Sequence, residues 1–181
     1  MSKSALIAVS GGIAAYKAAE LVSRLQKAGV QTRVIMTKHA CEFVTPLTFE
    51  ALTGKKVYTD TFDYSSDATI QHIALAQEAD VFVVVPATAN IIAKMAHGIA
   101  DDMLTSTFLA ATCPIVVCPA MHEHMYENTA TQANLSTLKA RGVTIVEPGE
   151  GRLASGDVGK GTLASVDDIA RTVLGILGYR C

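Results

Sequence analysis

Short apolar runs recur along the chain at Ala5–Val9 (ALIAV), Val81–Val85 (VFVVV), Ile115–Cys118 (IVVC) and Val143–Val146 (VTIV). Runs this continuous suit strands buried on both faces, because a half-exposed strand would alternate with polar residues. Thr32–Met36 (TRVIM) reads as a further strand. Helical spacing fills the gaps: Ile13–Ala28 with Gly29 placed to cap it, then Asn90–His97, Asp102–Ala111, Thr131–Arg141 and Val166–Leu177. Two short helical patches split by Pro46 follow Thr37–His39. Strands alternating with helices make βαβ units with right-handed crossovers. The expected fold is α/β: a Rossmann-like or flavodoxin-like doubly wound parallel sheet, with helices on both faces. It is expected to fill residues 1–181 as one domain.

Composition narrows the function classes. Half of the chain is apolar, 18% is charged and the formal charge is −2, which excludes disorder and gives no footprint for nucleic acid. Apolar runs fall far short of the roughly 20 residues of a membrane span. The opening MSKSALIAVSGG lacks the order of a signal peptide. Cys41, Cys113, Cys118 and Cys181 have no zinc or redox spacing, so reduced thiols in a cytoplasmic protein are expected.

In open α/β sheets, chemistry gathers at the carboxyl ends of strands. The first such loop is Ser10-Gly11-Gly12-Ile13, leading straight into a helix. Its glycines admit a ligand close to the backbone, and the free N–H groups with the helix dipole suit a phosphate. It is neither GxGxxG nor a P-loop, since Lys17 lies more than a turn into the helix. Thr37 ends the second strand with a hydroxyl. Pro86-Ala87-Thr88-Ala89-Asn90 follows the VFVVV run, where Pro86 is expected to end the strand and Thr88 or Asn90 to cap the helix. Pro119-Ala120-Met121-His122 repeats the pattern one strand on. Two such loops side by side form a wall suited to a flat ring.

Other polar residues have plainer explanations. His72, in the helix-like Thr69–Ala76, reads by default as a structural histidine. His122 and His124 lack partners for a metal, and none is expected. Asp101 and Asp102 are explained by a helix start. Asp60–Ala68 is a polar interruption, either a flap or an insertion. Gly149–Gly161 holds five glycines in thirteen residues, too many for a packed element, so it reads as a connector or a mobile clamp.

Together, SGGIAAYKAAEL, HI before a strand, PATANIIAKMAHGIADDML, PAM followed by HMYEN, and RLASGDVGKGTLA resemble the homo-oligomeric flavin-containing cysteine decarboxylases, in particular those acting on phosphopantothenoylcysteine. The likeness runs from Ala5 to about Asp168. The resemblance implies FMN, its phosphate held by Ser10, Gly11, Gly12, Ile13 and Thr37. Pro86, Ala87, Thr88, Ala89, Asn90 and Ala120 would line the flavin. It implies catalytic roles for His72, His122 and Ser155, and substrate contacts from Met121, His122, Ala154, Gly156 and Asp157. Residues 149–163 would form the substrate clamp. Trimers or trimer-based dodecamers, with sites between subunits, are implied, and any ligase partner would be another chain.

The implied activity converts 4′-phosphopantothenoylcysteine to 4′-phosphopantetheine in coenzyme A biosynthesis. A hydride leaves the cysteine β-carbon, the resulting thioaldehyde loses carbon dioxide to give an enethiol, and hydride return with a proton from a clamp cysteine completes the reaction. Two positions depart from the family pattern. His122 stands where the family has a carboxylate-binding asparagine, and Ser155 stands where it has the proton-donating cysteine. A thiol titrates at about 8.5 and a serine hydroxyl is a far weaker acid. Three readings follow: full decarboxylation, arrest at the enethiol as in relatives acting on peptidyl-cysteine, or an FMN-binding partner subunit of low activity.

Overall fold

The computed structural model describes residues 2–62, 70–152, 156 and 158–179. In chain order the elements are β1 (Ser4–Val9), α1 (Ala15–Lys27), β2 (Gln31–Met36), α2 (Lys38–Cys41), α3 (Pro46–Thr53), β3 (Val57–Tyr58) and α4 (Gln71–Glu78). Then follow β4 (Val81–Ala87), α5 (Ala89–His97), α6 (Met103–Ala110), β5 (Ile115–Pro119), α7 (Glu123–Glu127) and α8 (Thr129–Ala140). The chain continues through β6 (Thr144–Ile145), β7 (Gly149–Arg152), β8 (Val158–Thr162) and α9 (Val166–Leu177).

Six strands form one sheet in the order β3-β2-β1-β4-β5-β6, and every pairing is parallel. This is the doubly wound architecture expected from the sequence. Its apolar runs separate cleanly onto two faces, because side chains alternate along a strand. Ala5, Ile7 and Val9 of β1 and Val81, Val83 and Val85 of β4 pack with α1, α3 and α9. Leu6, Ala8, Phe82 and Val84 face the other way, against α4, α5, α6 and α8. Each helix answers with one apolar stripe; in α1 it is Ala15, Ala18, Leu21, Val22 and Leu25, all buried. Gly29, at φ +85, takes the left-handed turn that lets α1 end and β2 begin.

Some expectations are corrected. Pro86 does not end its strand: β4 runs on to Ala87, which pairs with Pro119 after a register shift beyond Val84. The shift accommodates the missing proline N–H, and the Val85–Pro86 peptide is cis. Helix α1 starts at Ala15 rather than Ile13, and α8 at Thr129 rather than Thr131. The glycine-rich segment does contain packed structure: β7 and β8 pair antiparallel, with Gly151 opposite Gly159 and Arg152 opposite Val158. Glycines at 159 and 161 let that ribbon press against neighbouring backbone and side chains, so here they allow packing instead of preventing it.

Candidate functional site

The order of the sheet reverses between β1 and β4, and a crevice opens at the carboxyl ends of these neighbours. Ser10 joins the two loops. Its buried hydroxyl donates to the Pro86 carbonyl at 2.7 Å and accepts the Thr88 N–H at 3.1 Å. Gly11 packs against His39 so tightly that a Cβ would fall 2.3 Å from the His39 Cβ. The turn continues with Gly12 N–H to the Ser10 carbonyl at 3.1 Å and Ala15 N–H to Gly12 at 2.9 Å. Neither Gly11 nor Ile13 donates its N–H to an acceptor among the described residues. Two unpaired amides at the entry to α1 give the loop the donors an anion needs.

Two cavities flank this loop. The larger, about 650 Å³, is lined by Gly11, Thr37 and His39 on one side and Thr88, Ala89 and Asn90 on the other. Thr37 caps α2 by accepting the Ala40 N–H at 3.1 Å, and Thr88 caps α5 by accepting the Ile91 N–H at 3.3 Å. The far wall carries Lys94, whose ammonium lies 2.7 Å from Asp101, and Asp102. Lys94 holds the Asp101 carboxyl below its usual range by hydrogen bond and charge. Asp102 forms a capping box with Thr105 at the start of α6, as its sequence position suggests, whereas Asp101 lies outside the helix and is engaged by Lys94 instead. Asp60 and Phe62 reach the same cavity. Most of the expected flap, residues 63–68, lies outside the described residues.

The smaller cavity, about 420 Å³, is lined by Ile13, Tyr16, Lys17, Ala120, Met121 and His122, with Arg152 and residues 161–163 of the ribbon opposite. His122 caps α7, its Nδ1 accepting the His124 N–H at 3.2 Å. Ala120 is held by its N–H to the Ala87 carbonyl at 3.1 Å, which ties the β5 loop to β4.

The proposed cofactor and substrate residues thus split. Gly11, Thr37, Thr88, Ala89 and Asn90 meet at the larger cavity, while Ile13, Ala120, Met121 and His122 meet at the smaller. Ser10, Gly12, Pro86 and Ala87 line neither and build the frame between them. His72, half-buried near the start of α4, lines neither cavity of its own chain. Ala154, Ser155 and Asp157 lie outside the described residues; Gly156 is exposed at φ +97. Among the described residues no group of three or more His, Cys, Asp or Glu could hold a metal, and no helix is long and apolar enough to cross a membrane.

Reading the sequence alone missed Lys94, Lys17 and Arg152 as cavity residues. The signal for Lys17 was present: it shares a helical face with Ile13 and Tyr16, one turn on from the loop. Lys17 and Arg152 have no acidic partner among the described residues, whereas Arg24, Arg33 and Arg171 are all ion-paired.

Known proteins are similar to this chain in sequence and fold. The Coenzyme A biosynthesis bifunctional protein CoaBC of Bacillus subtilis is 52% identical over 170 residues, covering 94% of this chain and 42% of that protein. Its counterpart from Mycobacterium tuberculosis is 46% identical over 167 residues, 92% of this chain and 40% of the relative. The chain therefore spans about two fifths of the length of these curated relatives. A solved PPC decarboxylase mutant, complexed with pantothenoylaminoethenethiol, superposes with a TM-score of 0.90 at 34% identity, covering 98% of this chain and 100% of that one. The FMN binding protein AtHal3 superposes at 0.86 and 33% identity over the full length of both chains. The Flavoprotein family matches residues 1–178, and the chain belongs to that family.

Proposed function

We propose that the chain binds FMN at the β1–β4 crevice and decarboxylates 4′-phosphopantothenoylcysteine to 4′-phosphopantetheine, the decarboxylation step of coenzyme A biosynthesis. The observation that carries this reading is the two-cavity frame around Ser10. An amide-bearing glycine turn lies beside a chamber of cofactor size, and a second chamber lined by His122, Lys17 and Arg152 adjoins it.

The residues fit FMN. The Gly11 and Ile13 amides and the Thr37 and Thr88 positions would hold its phosphate and ribityl chain, while Asn90 and Ala120 would border the ring. When bound, FMN supplies a hydride acceptor and donor. Ser10 acts by fixing the loops, since its hydroxyl is already engaged on both sides. His122, lining the smaller cavity at the cap of α7, would contact the substrate carboxylate. Lys17 and Arg152, unpaired among the described residues, suit a phosphorylated substrate. His72 would come from a second copy, because it lines neither cavity of its own chain. Exposed Ile13 and Tyr16 at the smaller cavity's mouth support a neighbour there, in a trimer or a trimer-based assembly. We place the reaction in the cytoplasm, as one domain with residues 149–163 as its clamp.

Ser155 favours a second reading, arrest at the enethiol, because a hydroxyl is a poor proton donor for the last reduction. The solved PPC decarboxylase mutant holding pantothenoylaminoethenethiol, itself named as an enethiol, points the same way. Mass spectrometry after incubation with phosphopantothenoylcysteine separates the outcomes. Loss of about 44 mass units marks full turnover and about 46 an enethiol. No change marks a non-catalytic subunit, and a colourless protein that takes up no FMN refutes the reading altogether.

A further inference from the structure

The β7–β8 ribbon is seated on α7 by a close-fitting contact. Gly159 lies so near the Glu123 carboxylate that a Cβ there would fall 2.5 Å from Oε2 and 2.6 Å from Cδ. Glu123 Oε1 accepts the Lys160 N–H at 3.2 Å. The Lys160 ammonium sits 5.4 Å from the centre of the Tyr126 ring, and Tyr126 donates its hydroxyl to Glu147 at 2.5 Å. Gly161, at φ +144, accepts the Met121 N–H at 3.0 Å, and a side chain there would collide with the Met121 carbonyl. Three successive residues of β8 therefore meet Met121, Glu123 and Tyr126, and His122 lies within that span.

An acidic residue in the first turn of a helix is ordinarily explained by the helix dipole. Glu123 does more: its carboxylate accepts an amide from a different element, 37 residues away in sequence. Arg152 and His122 line the same cavity, one on the ribbon and the other at the cap of α7. The distance between them is set by how the ribbon sits on the helix.

We propose that Glu123 is a positioning residue: it docks the β7–β8 ribbon on α7 and so fixes the width of the cavity between Arg152 and His122. The docking stands on geometry alone, and its catalytic consequence rests on the decarboxylase reading above. Amide hydrogen exchange of segment 149–162 tests the docking, and KM and kcat for phosphopantothenoylcysteine test the consequence. Glu123→Ala is expected to speed exchange at Lys160 about tenfold. It should raise KM by about as much, with kcat changed less than about threefold and bound FMN unchanged. Glu123→Gln keeps an oxygen acceptor and should restore both readouts. Should the alanine variant fail to fold, Glu123→Asp withdraws the carboxylate by one methylene and reads the same way. Unchanged exchange in Glu123→Ala overturns the proposal, as does equal damage in Glu123→Gln, or a fall in kcat at constant KM. If the wild-type protein shows no turnover, the decarboxylase reading fails and exchange alone decides the docking.

Discussion

Adjacent glycines in the β1–α1 turn make opposite predictions. Alanine at Gly11 would put a methyl carbon 2.3 Å from the His39 Cβ, 2.7 Å from its carbonyl carbon and 2.9 Å from its oxygen. Carbon atoms pack at about 3.5–4.0 Å, so the turn and α2 must separate by more than ~1 Å. Neither side yields easily. The turn is tied to β4 through Ser10, and α2 is tied to β1 by the Thr37 N–H to the Val9 carbonyl at 3.0 Å. Overpacking of this kind costs about 1–3 kcal/mol. For a chain of this size each kcal/mol lowers Tm by about 2–4 °C, so Gly11→Ala should melt roughly 2–12 °C early. At Gly12 the new carbon would lie 3.6 Å from Thr88 Cγ2, an ordinary contact, and φ is not positive at either glycine. Gly12→Ala should therefore melt within about 2 °C of wild type. Thermal unfolding followed by circular dichroism, with FMN titrated by fluorescence quenching, reads both variants. Equal melting of the two, or greater damage from Gly12→Ala, refutes the reasoning.

Three further outcomes are expected. Ser10→Ala leaves the Thr88 N–H without its acceptor and the Pro86 carbonyl with only the longer bond from the residue-10 N–H, so urea unfolding should report a loss of about 1–3 kcal/mol. Burial and the hydrogen bond to Glu147 push the Tyr126 phenol up to about 12. A raised phenol favours the neutral form in the fold, so its contribution is complete below the unfolded value of about 10 and fades as pH climbs towards 12. Tyr126→Phe should accordingly flatten the alkaline limb of a Tm-against-pH curve; an unchanged limb would show that other groups set it. His72→Asn should leave FMN bound while abolishing release of carbon dioxide, and retained turnover would remove His72 from the mechanism.

The strands β1, β4 and β5 were readable because each is covered on both faces and carries a nearly continuous apolar run. The edge strand Val57–Tyr58 was not, since it offers only two residues of pattern, whereas Thr144–Ile145 was read as part of the longer run Val143–Val146. Glycine misled the reading at 149–162: it signals freedom in a sequence, yet at 159 and 161 it serves close approach to Glu123 and Met121. Pro86 misled it too, because a proline can stay in a strand where the register shifts. At the site, the loops and caps were legible from residue type and position, and Thr88 and Asp102 cap as expected. The division of those loops between two cavities was not legible, because it depends on how α1 leaves the sheet.

The two-residue edge strands bear on how copies of the chain can meet. A sheet grows by lending unpaired amides and carbonyls to the next strand, and stubs this short offer almost no row to extend. Edge-to-edge growth of the six-stranded sheet has little to build on, and Lys55 and Lys56 before β3 and Pro148 after β6 guard those edges further. The assembly proposed above would then use helix faces and loop ends, where the fit of side chains sets partner and orientation. That directs contact towards the carboxyl end of the sheet, where exposed Ile13 and Tyr16 stand beside the smaller cavity.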